Sequence, residues 1–484
     1  MSQQRFIWIF GLLGTGLIVF GTVFFLVSPA TTAEDDPWAH VPVRVEGTDH
    51  TNLISGALAD SGMSLETGPD VTRLCLTCHE DAAHEVMGTS HWTWQSEPVE
   101  VSWRDEPISI GKANTINNFC IGIQSNESGC TRCHAGYGWA DETFDFTIED
   151  NTDCLVCHDQ SGDYVKASAG LPAEGVDLVA SAQSVGTPSR ENCGGCHFNG
   201  GGGNGVKHGD LDESLYFPSD NVDVHMGRYN FLCVDCHQTE NHEIGGRSIS
   251  VSADDANQIA CTDCHTAELI HDDERITAHL DTVACQTCHV PAGALRDATK
   301  MEWDWSTAGD PDREESPHEY LRIKGSFIYE RNFMPDYFWY DGTAQHYMLG
   351  DEIDPNEIVL INKLNGSIDD PNSMIWPFKV HDTNQPYDTV YNILLQPNTV
   401  GPEGYWTLFN WDLALQNGAE AAGIPYSGEY GFTHTEMFWP QTHMVQPSEN
   451  ALQCTDCHSD NGRIDWEALG YIGDPMTWGG RDSQ

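Results

Sequence analysis

The sequence predicts a fold of short helices and loops whose interior is filled by something other than aliphatic side chains. Only 39% of the 484 residues are hydrophobic, whereas 46 are glycine and 17 are cysteine. A chain of this length with so few apolar side chains and so many turn-forming residues is poorly suited to build a large core from its own residues. The arrangement of the cysteines indicates what completes the interior.

Sixteen of the cysteines lie in eight copies of the motif C-x-x-C-H. Two thiols three positions apart can reach the two vinyl groups on one edge of a haem, and the histidine that follows can bind the iron. Zinc ribbons, redox dithiols and disulfides also use paired cysteines, but none of them requires a histidine after every second cysteine. We therefore predict eight covalently bound c-type haems, attached at Cys75, Cys78 and His79; Cys130, Cys133 and His134; Cys154, Cys157 and His158; Cys193, Cys196 and His197; Cys233, Cys236 and His237; Cys261, Cys264 and His265; Cys285, Cys288 and His289; and Cys454, Cys457 and His458.

The spacing of the motifs predicts the fold class, a multihaem cytochrome c. The first seven motifs begin 24 to 55 residues apart, which leaves room for about one helix between most of them, and 169 residues separate the seventh from the eighth. We expect mainly short α-helices and loops wrapped around eight closely packed haems, with minor β structure in the 320–370 region. In the long interval, the pattern predicts a hairpin over 357–368 with its turn at Asn365–Gly366, and a helix over 411–422 that ends at Gly423.

Five segments follow from these patterns. The apolar run from Phe6 to Val27 is long enough to span a bilayer, and the small residues Thr31 and Ala33 would suit a signal peptidase. Either outcome places the chain in the periplasm or on the extracytoplasmic face of the membrane, where c-type haem is attached. The segments are 1–33, a signal peptide or N-terminal membrane anchor; 34–70, an acidic linker or N-terminal segment; 71–300, the region of haems 1–7; 301–445, a haem-free aromatic-rich segment; and 446–484, the eighth haem and the C-terminal segment.

The charge of the chain limits its partners. The formal net charge is −52, from 74 acidic and 22 basic residues, which excludes nucleic acid because phosphates would be repelled. The acidic residues are spread over the whole chain, so we predict adaptation to high salt, in which the screening length falls to about 3 Å at 1 M. A local acidic docking surface for a basic partner is the alternative.

Eight six-coordinate irons need eight axial ligands besides the motif histidines. The chain has 22 histidines, so fourteen lie outside the motifs, and their context must select among them. We expect His40, His50, His318 and His346 to be ordinary residues, leave His381 and His434 undecided, and regard His84 as the substitute for a wrong choice. The predicted distal ligands are His91, His208, His225, His242, His271, His279 and His443, together with Lys207 discussed next.

Several sequence motifs resemble those of the octahaem tetrathionate reductases, a family related to pentahaem nitrite reductases and octahaem hydroxylamine oxidoreductases. The resemblance extends from about residue 70 to about residue 475 and includes the haem-free aromatic segment. The residues that carry it are Asn117–Ile121, Gly136–Trp139, Asp153–Asp159, Val206–Asp212 and Gln385–Asp388.

This resemblance implies a catalytic haem on the second motif, with His134 as proximal ligand and Lys207 as an unusual distal ligand. Cys120 and Asn117 would line the same pocket, and the other seven haems would be bis-histidine electron carriers. Lys207 follows the glycine-rich run Gly200–Gly205, expected to be a flexible tether. Asn204 stands where the resemblance leads us to expect an acidic residue.

The expected function is an extracytoplasmic reductase of a small anionic substrate. The sequence leaves the substrate open between tetrathionate, which would be reduced to thiosulfate, and nitrite or hydroxylamine. A quinol dehydrogenase or a small cytochrome would donate the electrons. The alternative is a non-enzymatic electron conduit in which histidine closes every iron. Oxidative hydroxylamine chemistry is less favoured, because the sequence identifies no tyrosine for crosslinking to a haem. The oligomeric state is left open.

Overall fold

The computed structural model describes residues 47–119, 122–254, 256–265, 271 and 273–481. The predicted signal or anchor and Cys120 therefore lie outside the described residues. Within the described part, no helix has both the length and the apolar character needed to cross a membrane. The chain divides into two compact units. The larger unit contains the described residues within 45–259 and 278–484, and the described residues of the smaller unit are 260–265, 271 and 273–277.

The helices are short, as predicted. Each described motif begins in or beside a short helix or helical turn, and the spacing of three residues places its two cysteines on one side. The described α-helices are Thr51–Ser61, Gly68–Leu76, Ala82–Met87, Ser90–Thr93, Glu127–Cys130, Leu155–His158, Leu178–Gln183, Arg190–His197, Cys233–Cys236, Glu274–Thr277, Cys285–His289, Tyr405–Leu408, Trp411–Ala422, Cys454–Cys457 and Pro475–Trp478. Shorter 3₁₀ turns are Thr131–Cys133, Glu149–Asn151, Ser168–Gly170, Glu213–Leu215, Cys261–Asp263, Trp305–Thr307 and Ser448–Asn450, and Val224–Arg228 is a π-helical turn.

The N-terminal part of the described chain contains a packed helix. Helix Thr51–Ser61 packs against helix Leu178–Gln183, and Ile54 joins Leu178 and Ala182 in one apolar cluster. This helix, which lies in the predicted 34–70 segment, is thus partly buried by a partner more than 100 residues away in the chain.

The expectation of minor β structure is wrong, because the 299–440 region builds a substantial mixed sheet. The described strands are β1 Thr239–Glu240, β2 Glu243–Ile244, β3 Thr299–Asp304, β4 Tyr320–Leu321, β5 Gly325–Glu330, β6 Asp336–Tyr340, β7 Ala344–His346, β8 Val359–Leu360, β9 Asn362–Leu364, β10 Met374–Asp388, β11 Ile393–Leu394 and β12 Tyr430–Pro440. Eight of these strands form the sheet: six pair in the order β4-β5-β3-β10-β12-β8, and β6 and β11 also pair with β10.

The 15-residue strand β10 organises this sheet. It runs antiparallel to β12 from Phe378–Pro440 to Asp388–Tyr430 and parallel to β3 over Asp382–Asn384. The predicted hairpin over 357–368 does not form, since β8 pairs with β12 and β9 pairs with β7. The predicted helix is confirmed as Trp411–Ala422: Asn410 caps its first turn, and Gly423 ends it at φ 68°.

Aromatic side chains form a core around the sheet. Trp303, Trp305, Phe378, Phe438 and Trp439 are buried in one cluster, and the Trp303 and Trp305 rings stack with centroids 4.6 Å apart. The expectation that side chains contribute little to the interior therefore fails in this part of the chain, because large aromatic rings bury much area with few residues.

Candidate haem sites and the Lys207 pocket

Motif cysteines from different motifs contact one another. All sixteen are free thiols in the described structure, and hydrogen-bonding contacts join Cys75 to Cys154, Cys133 to Cys196 and Cys193 to Cys233. The first motif therefore lies against the third, the second against the fourth, and the fourth against the fifth. This adjacency is what dense packing of covalently attached groups requires.

Five motif histidines each face a second histidine. Metal–imidazole bonds are about 2 Å long, so two imidazoles on opposite sides of one metal have ring centroids about 6 Å apart. The observed centroid separations are 6.1–6.4 Å. The pairs are His79 with His50, His158 with His242, His197 with His91, His237 with His443, and His458 with His279.

Hydrogen bonds orient several of these imidazoles. Nδ1 of His158 lies 2.9 Å from the Gly186 carbonyl oxygen, and Nδ1 of His237 lies 2.8 Å from that of Gly245. A carboxylate serves the same purpose at His458, whose Nδ1 lies 2.6 Å from Asp474. When Nδ1–H donates, the lone pair of Nε2 is free to bind a metal.

The predicted distal histidines fall into two groups. His91, His242, His279 and His443 lie opposite motif histidines, and His242 and His443 have carboxylate partners of their own at 2.7 and 3.1 Å. The pairing of His208, His225 and His271 with irons stays a prediction. Lys207, the remaining predicted distal ligand, lies near Cys133 of the second motif.

His50 departs from expectation. It was predicted to be an ordinary residue, yet its ring lies 6.3 Å from that of His79. By contrast, His346 makes hydrogen bonds to backbone oxygens of Ile249 and Ala344, and His318 stacks on Tyr329, as expected of ordinary residues.

His134 of the second motif has a hydrogen-bonding pattern different from that of His158 and His237. Its buried ring lies among aromatic side chains, and its Nε2 lies 2.6 Å from the Trp92 carbonyl oxygen. A carbonyl can only accept, so Nε2 carries the proton here, and the lone pair lies on the buried Nδ1, which has no described hydrogen-bond partner. Nearby, Lys166 pairs with buried Asp153 at 2.8 Å and donates to the Gly136 carbonyl at 3.1 Å. The proximal role of His134 stays a prediction.

Lys207 lies close to the same motif. Dense surrounding protein lowers the pKa of Lys207 to about 7, the charge of Lys112 adds to this effect, and the nearby Cys133 opposes it. The Lys207 Nζ atom lies 4.5 Å from the ring centre of Trp439. At neutral pH, a lysine whose pKa is about 7 has a substantial fraction of free amine, the form that can bind a metal.

The glycine-rich run before Lys207 is a packed turn rather than the flexible tether that was expected. The Gly205 amide donates to the Phe198 carbonyl at 2.9 Å, and Gly201 and Gly205 have φ of 78° and 65°. A Cβ at Gly201 would lie 2.9 Å from the Val206 side chain. Glycine is needed here for the left-handed backbone and the close approach, and the surrounding contacts hold the turn.

Residues that sequence reasoning did not select hold the segment that follows Lys207. The Lys379 amine contacts the backbone of Val206 and Lys207. Asp210 accepts hydrogen bonds from the backbone N–H groups of Thr442 and His443 at 2.8 and 3.0 Å. The signal that could have found Lys379 is its rarity: it is one of only seven lysines in the chain.

The pocket roles of Asn117 and Asn204 stay predictions, and the two residues have different surroundings. Asn117 lines a small cavity with Ile116, Trp305, Gln385, Pro386, Leu395 and Pro397. Asn204 donates to Asp297 at 3.0 Å and accepts from the Glu213 amide at 2.8 Å. Both ends of its amide are thus engaged, so Asn204 braces the glycine-rich turn. Cys120, the other predicted pocket residue, lies outside the described residues.

Comparison with known proteins gives the family. The chain is 47% identical to the octahaem cytochrome c of Shewanella oneidensis, whose crystal structure it matches with a TM-score of 0.82, over 89% of this chain and 98% of that one. The chain belongs to the octahaem cytochromes c. The resemblance drawn from its sequence motifs is thereby confirmed, and residues 300–461 also match the family model described as bacterial cytochrome c. No protein of curated function matches it.

The donor sets of this octahaem cytochrome c fit multiple c-type haems. Free thiol pairs on helical turns suit thioether attachment, and the opposed imidazoles suit axial ligation on both sides of an iron. At the second motif, Nε2 of His134 lies against the Trp92 carbonyl oxygen, and the Lys207 amine is near Cys133. Similarity to an octahaem cytochrome c over most of the chain indicates a redox protein.

Proposed function

We propose that this octahaem cytochrome c is an extracytoplasmic reductase of a small sulfur or nitrogen oxyanion, with its reaction site at the second motif. Tetrathionate is the favoured substrate, and nitrite and hydroxylamine are the others to be tested. The observation that carries the proposal is the Lys207 amine, which lies beside Cys133 with a pKa lowered to about 7 by its surroundings, while His134 of the same motif is engaged by the Trp92 carbonyl.

The charge distribution supports an anionic substrate. Of the seven lysines in the chain, Lys300 and Lys379 are buried, with 2% and 0% exposure, and Lys207 lies near them, since Lys379 contacts its backbone. In a chain of net charge −52, the protonated form of Lys207 would give a small anion a positive partner inside the protein. A small anion would be attracted to this region, where low polarity strengthens the interaction.

The chemistry of tetrathionate reduction balances with two electrons. The Cys120 thiolate would attack one sulfur of the central S–S bond, form a new S–S bond to that half and release the other half as thiosulfate. Two electrons would then cleave the new S–S bond, release the second thiosulfate and regenerate the thiolate. Haems bound at the motifs would supply these electrons from the external donor, for which we propose a quinol dehydrogenase or a small cytochrome.

The protein's own groups have separate tasks in this scheme. The Lys207 amine would either bind the iron of the second motif or supply positive charge and a proton to the anion. A thiolate near a positive charge is also favoured over the thiol. The enclosing aromatic residues Trp92 and Trp439 would keep bulk water away from the Lys207 side of the site.

Replacement of Lys207 tests the proposal. We expect Lys207→Met to alter the electron paramagnetic resonance signal of one haem and to lower turnover about 10²-fold or more, the range usual for loss of a positioned acid or base. Lys363→Met is the matched control, because Lys363 is exposed. Turnover would be measured anaerobically in high salt with a reduced dye and tetrathionate, nitrite or hydroxylamine.

The outcomes separate the functions. If none of the three substrates is turned over and Lys207→Met leaves the signals of all eight haems unchanged, the protein is an electron conduit. For the thiolate route, Cys120→Ala is expected to impair tetrathionate reduction more than nitrite reduction. An equal loss on both substrates would contradict covalent attack by Cys120.

A further inference from the structure

The central strand β10 has a buried face made of polar residues. Lys379, His381, Thr383 and Gln385 alternate along the strand and are 0–3% exposed. A buried strand face is normally apolar, and polar groups are tolerated there only when hydrogen bonds replace their lost hydration. The partners of these four side chains therefore indicate why this face is polar.

Lys379 holds the backbone around Lys207. Its Nζ atom donates to the carbonyl oxygens of Val206 and Lys207 at 2.8 and 3.0 Å, and to the hydroxyl oxygen of Thr299 at 2.6 Å. The Thr299 hydroxyl in turn donates to the Gly205 carbonyl at 2.7 Å. Three acceptors use all three N–H bonds of an ammonium group. Lys379 thus ties down three consecutive residues that end at Lys207.

The same face holds the segment on the other side of the predicted pocket. The Asn118 amide donates to the His381 carbonyl oxygen at 2.8 Å, and the Thr383 hydroxyl donates to the Asn118 carbonyl oxygen at 3.0 Å. The Phe119 ring stacks on His381 with centroids 4.0 Å apart, and its centre lies 5.6 Å from the Lys379 Nζ atom. One strand face therefore connects both halves of the pocket.

His381 also has a polar atom that no described residue satisfies. Its Nδ1 lies 3.1 Å from the Asn118 side-chain oxygen, whereas its buried Nε2 has no hydrogen-bond partner in the described structure. A fully buried polar atom of this kind is costly unless some group can pair with it.

We propose that Lys379 is a positioning residue of the Lys207 site, which fixes the place of the Lys207 amine by binding the carbonyl oxygens of Val206 and Lys207. This inference rests on the proposed function of Lys207. The glycine-rich turn is held by its own contacts up to Gly205, and Lys379 extends this hold to the residue that carries the amine. Without the clamp, the amine would sample positions away from the second motif.

The decisive variant is Lys379→Met, which keeps the length of the side chain and removes its donors. We expect the haem signal that responds to Lys207→Met to shift or split, with the other seven signals unchanged. We expect kcat to fall about 10–100-fold, the cost of a misplacement on the order of 1 Å, with little change in KM. Thr299→Val, which removes one acceptor and the bond to Gly205, should give a smaller effect of the same kind. Lys363→Met is again the control.

The possible results separate this inference from the proposed function. If Lys207→Met changes one haem signal and Lys379→Met changes neither that signal nor kcat, Lys379 has no positioning role. If Lys207→Met itself has no effect, the proposed function fails first. If Lys379→Met does not fold, Thr299→Val decides: an altered Lys207-dependent signal supports the inference, and an unaltered one overturns it.

Discussion

At the scale of single residues, the engaged nitrogen of each imidazole determines what that histidine can do. His158 and His237 use Nδ1 for a backbone carbonyl, so Nε2 remains available for iron. His134 uses Nε2 instead, which lies 2.6 Å from the Trp92 carbonyl oxygen, although its motif has the same C-x-x-C-H pattern. The motif thus predicts attachment of the haem, while the hydrogen bond determines which ring nitrogen keeps its lone pair.

His50 is the residue whose role changes most. We predict that His50→Ala will alter the electron paramagnetic resonance signal of one haem, because its ring is placed opposite His79. The mass of the protein should still correspond to eight haems, since the thioether bonds do not involve His50. His318→Ala is the control, as its ring stacks on Tyr329. Eight signals identical to those of the unmodified protein would show that His50 is not a ligand.

At the scale of elements, β10 and helix Trp411–Ala422 build the frame of the pocket region. The helix contacts the chain after β11 so closely that Gly418 has no room for a side chain: a Cβ there would collide with the Gln396 carbonyl oxygen. Leu395, Leu415 and Ala419 form the apolar contact beside it. Pro397, two residues further on from Leu395, lines the cavity that contains Asn117.

Gly418→Ala is predicted to destabilise the protein, although alanine has a higher helix propensity than glycine. Alanine gains about 1 kcal/mol over glycine inside a helix, but overpacking against backbone typically costs about 1–3 kcal/mol. We expect a lower thermal unfolding midpoint, measured by the loss of helical circular dichroism at one fixed scan rate. Gln416→Ala, at an exposed position of the same helix, should leave the midpoint nearly unchanged. A higher midpoint for Gly418→Ala would show that the helix can move away.

At the scale of the whole molecule, the excess of acidic residues decides how salt acts on stability. The acidic residues that give the net charge of −52 are spread over the whole chain. Repulsion among them opposes a compact state, and salt screens it.

Stability should therefore rise with salt. We expect the thermal unfolding midpoint to increase by several degrees between 0.15 M and 2 M KCl, since the screening length falls from about 8 Å to about 3 Å already at 1 M. Sucrose at matched osmolality is the control, because it disfavours unfolding without screening charge. An equal gain in sucrose and in KCl would contradict a role for charge repulsion.

The sequence by itself determined the covalent chemistry of this protein and its family. Each C-x-x-C-H motif is complete within five residues, and one helical turn places its groups, so no distant contact is needed to recognise it. The helix Trp411–Ala422 was predictable for the same reason, as its cap at Asn410 and its end at Gly423 are local signals. Lys207 was found through the resemblance of its neighbouring residues to a family.

Only the tertiary structure decided what those local units meet. The pairing of His50 with His79 joins residues 29 positions apart, and the clamp of Lys379 on Lys207 joins residues 172 positions apart. The mixed sheet around β10 likewise joins strands that are distant in the chain. Such partners leave no trace in local spacing, because the free energy that selects them comes from burial and hydrogen bonding in the assembled fold. The engagement of His134 by Trp92 is the clearest case, since the same five-residue motif acquires a different histidine geometry from its surroundings.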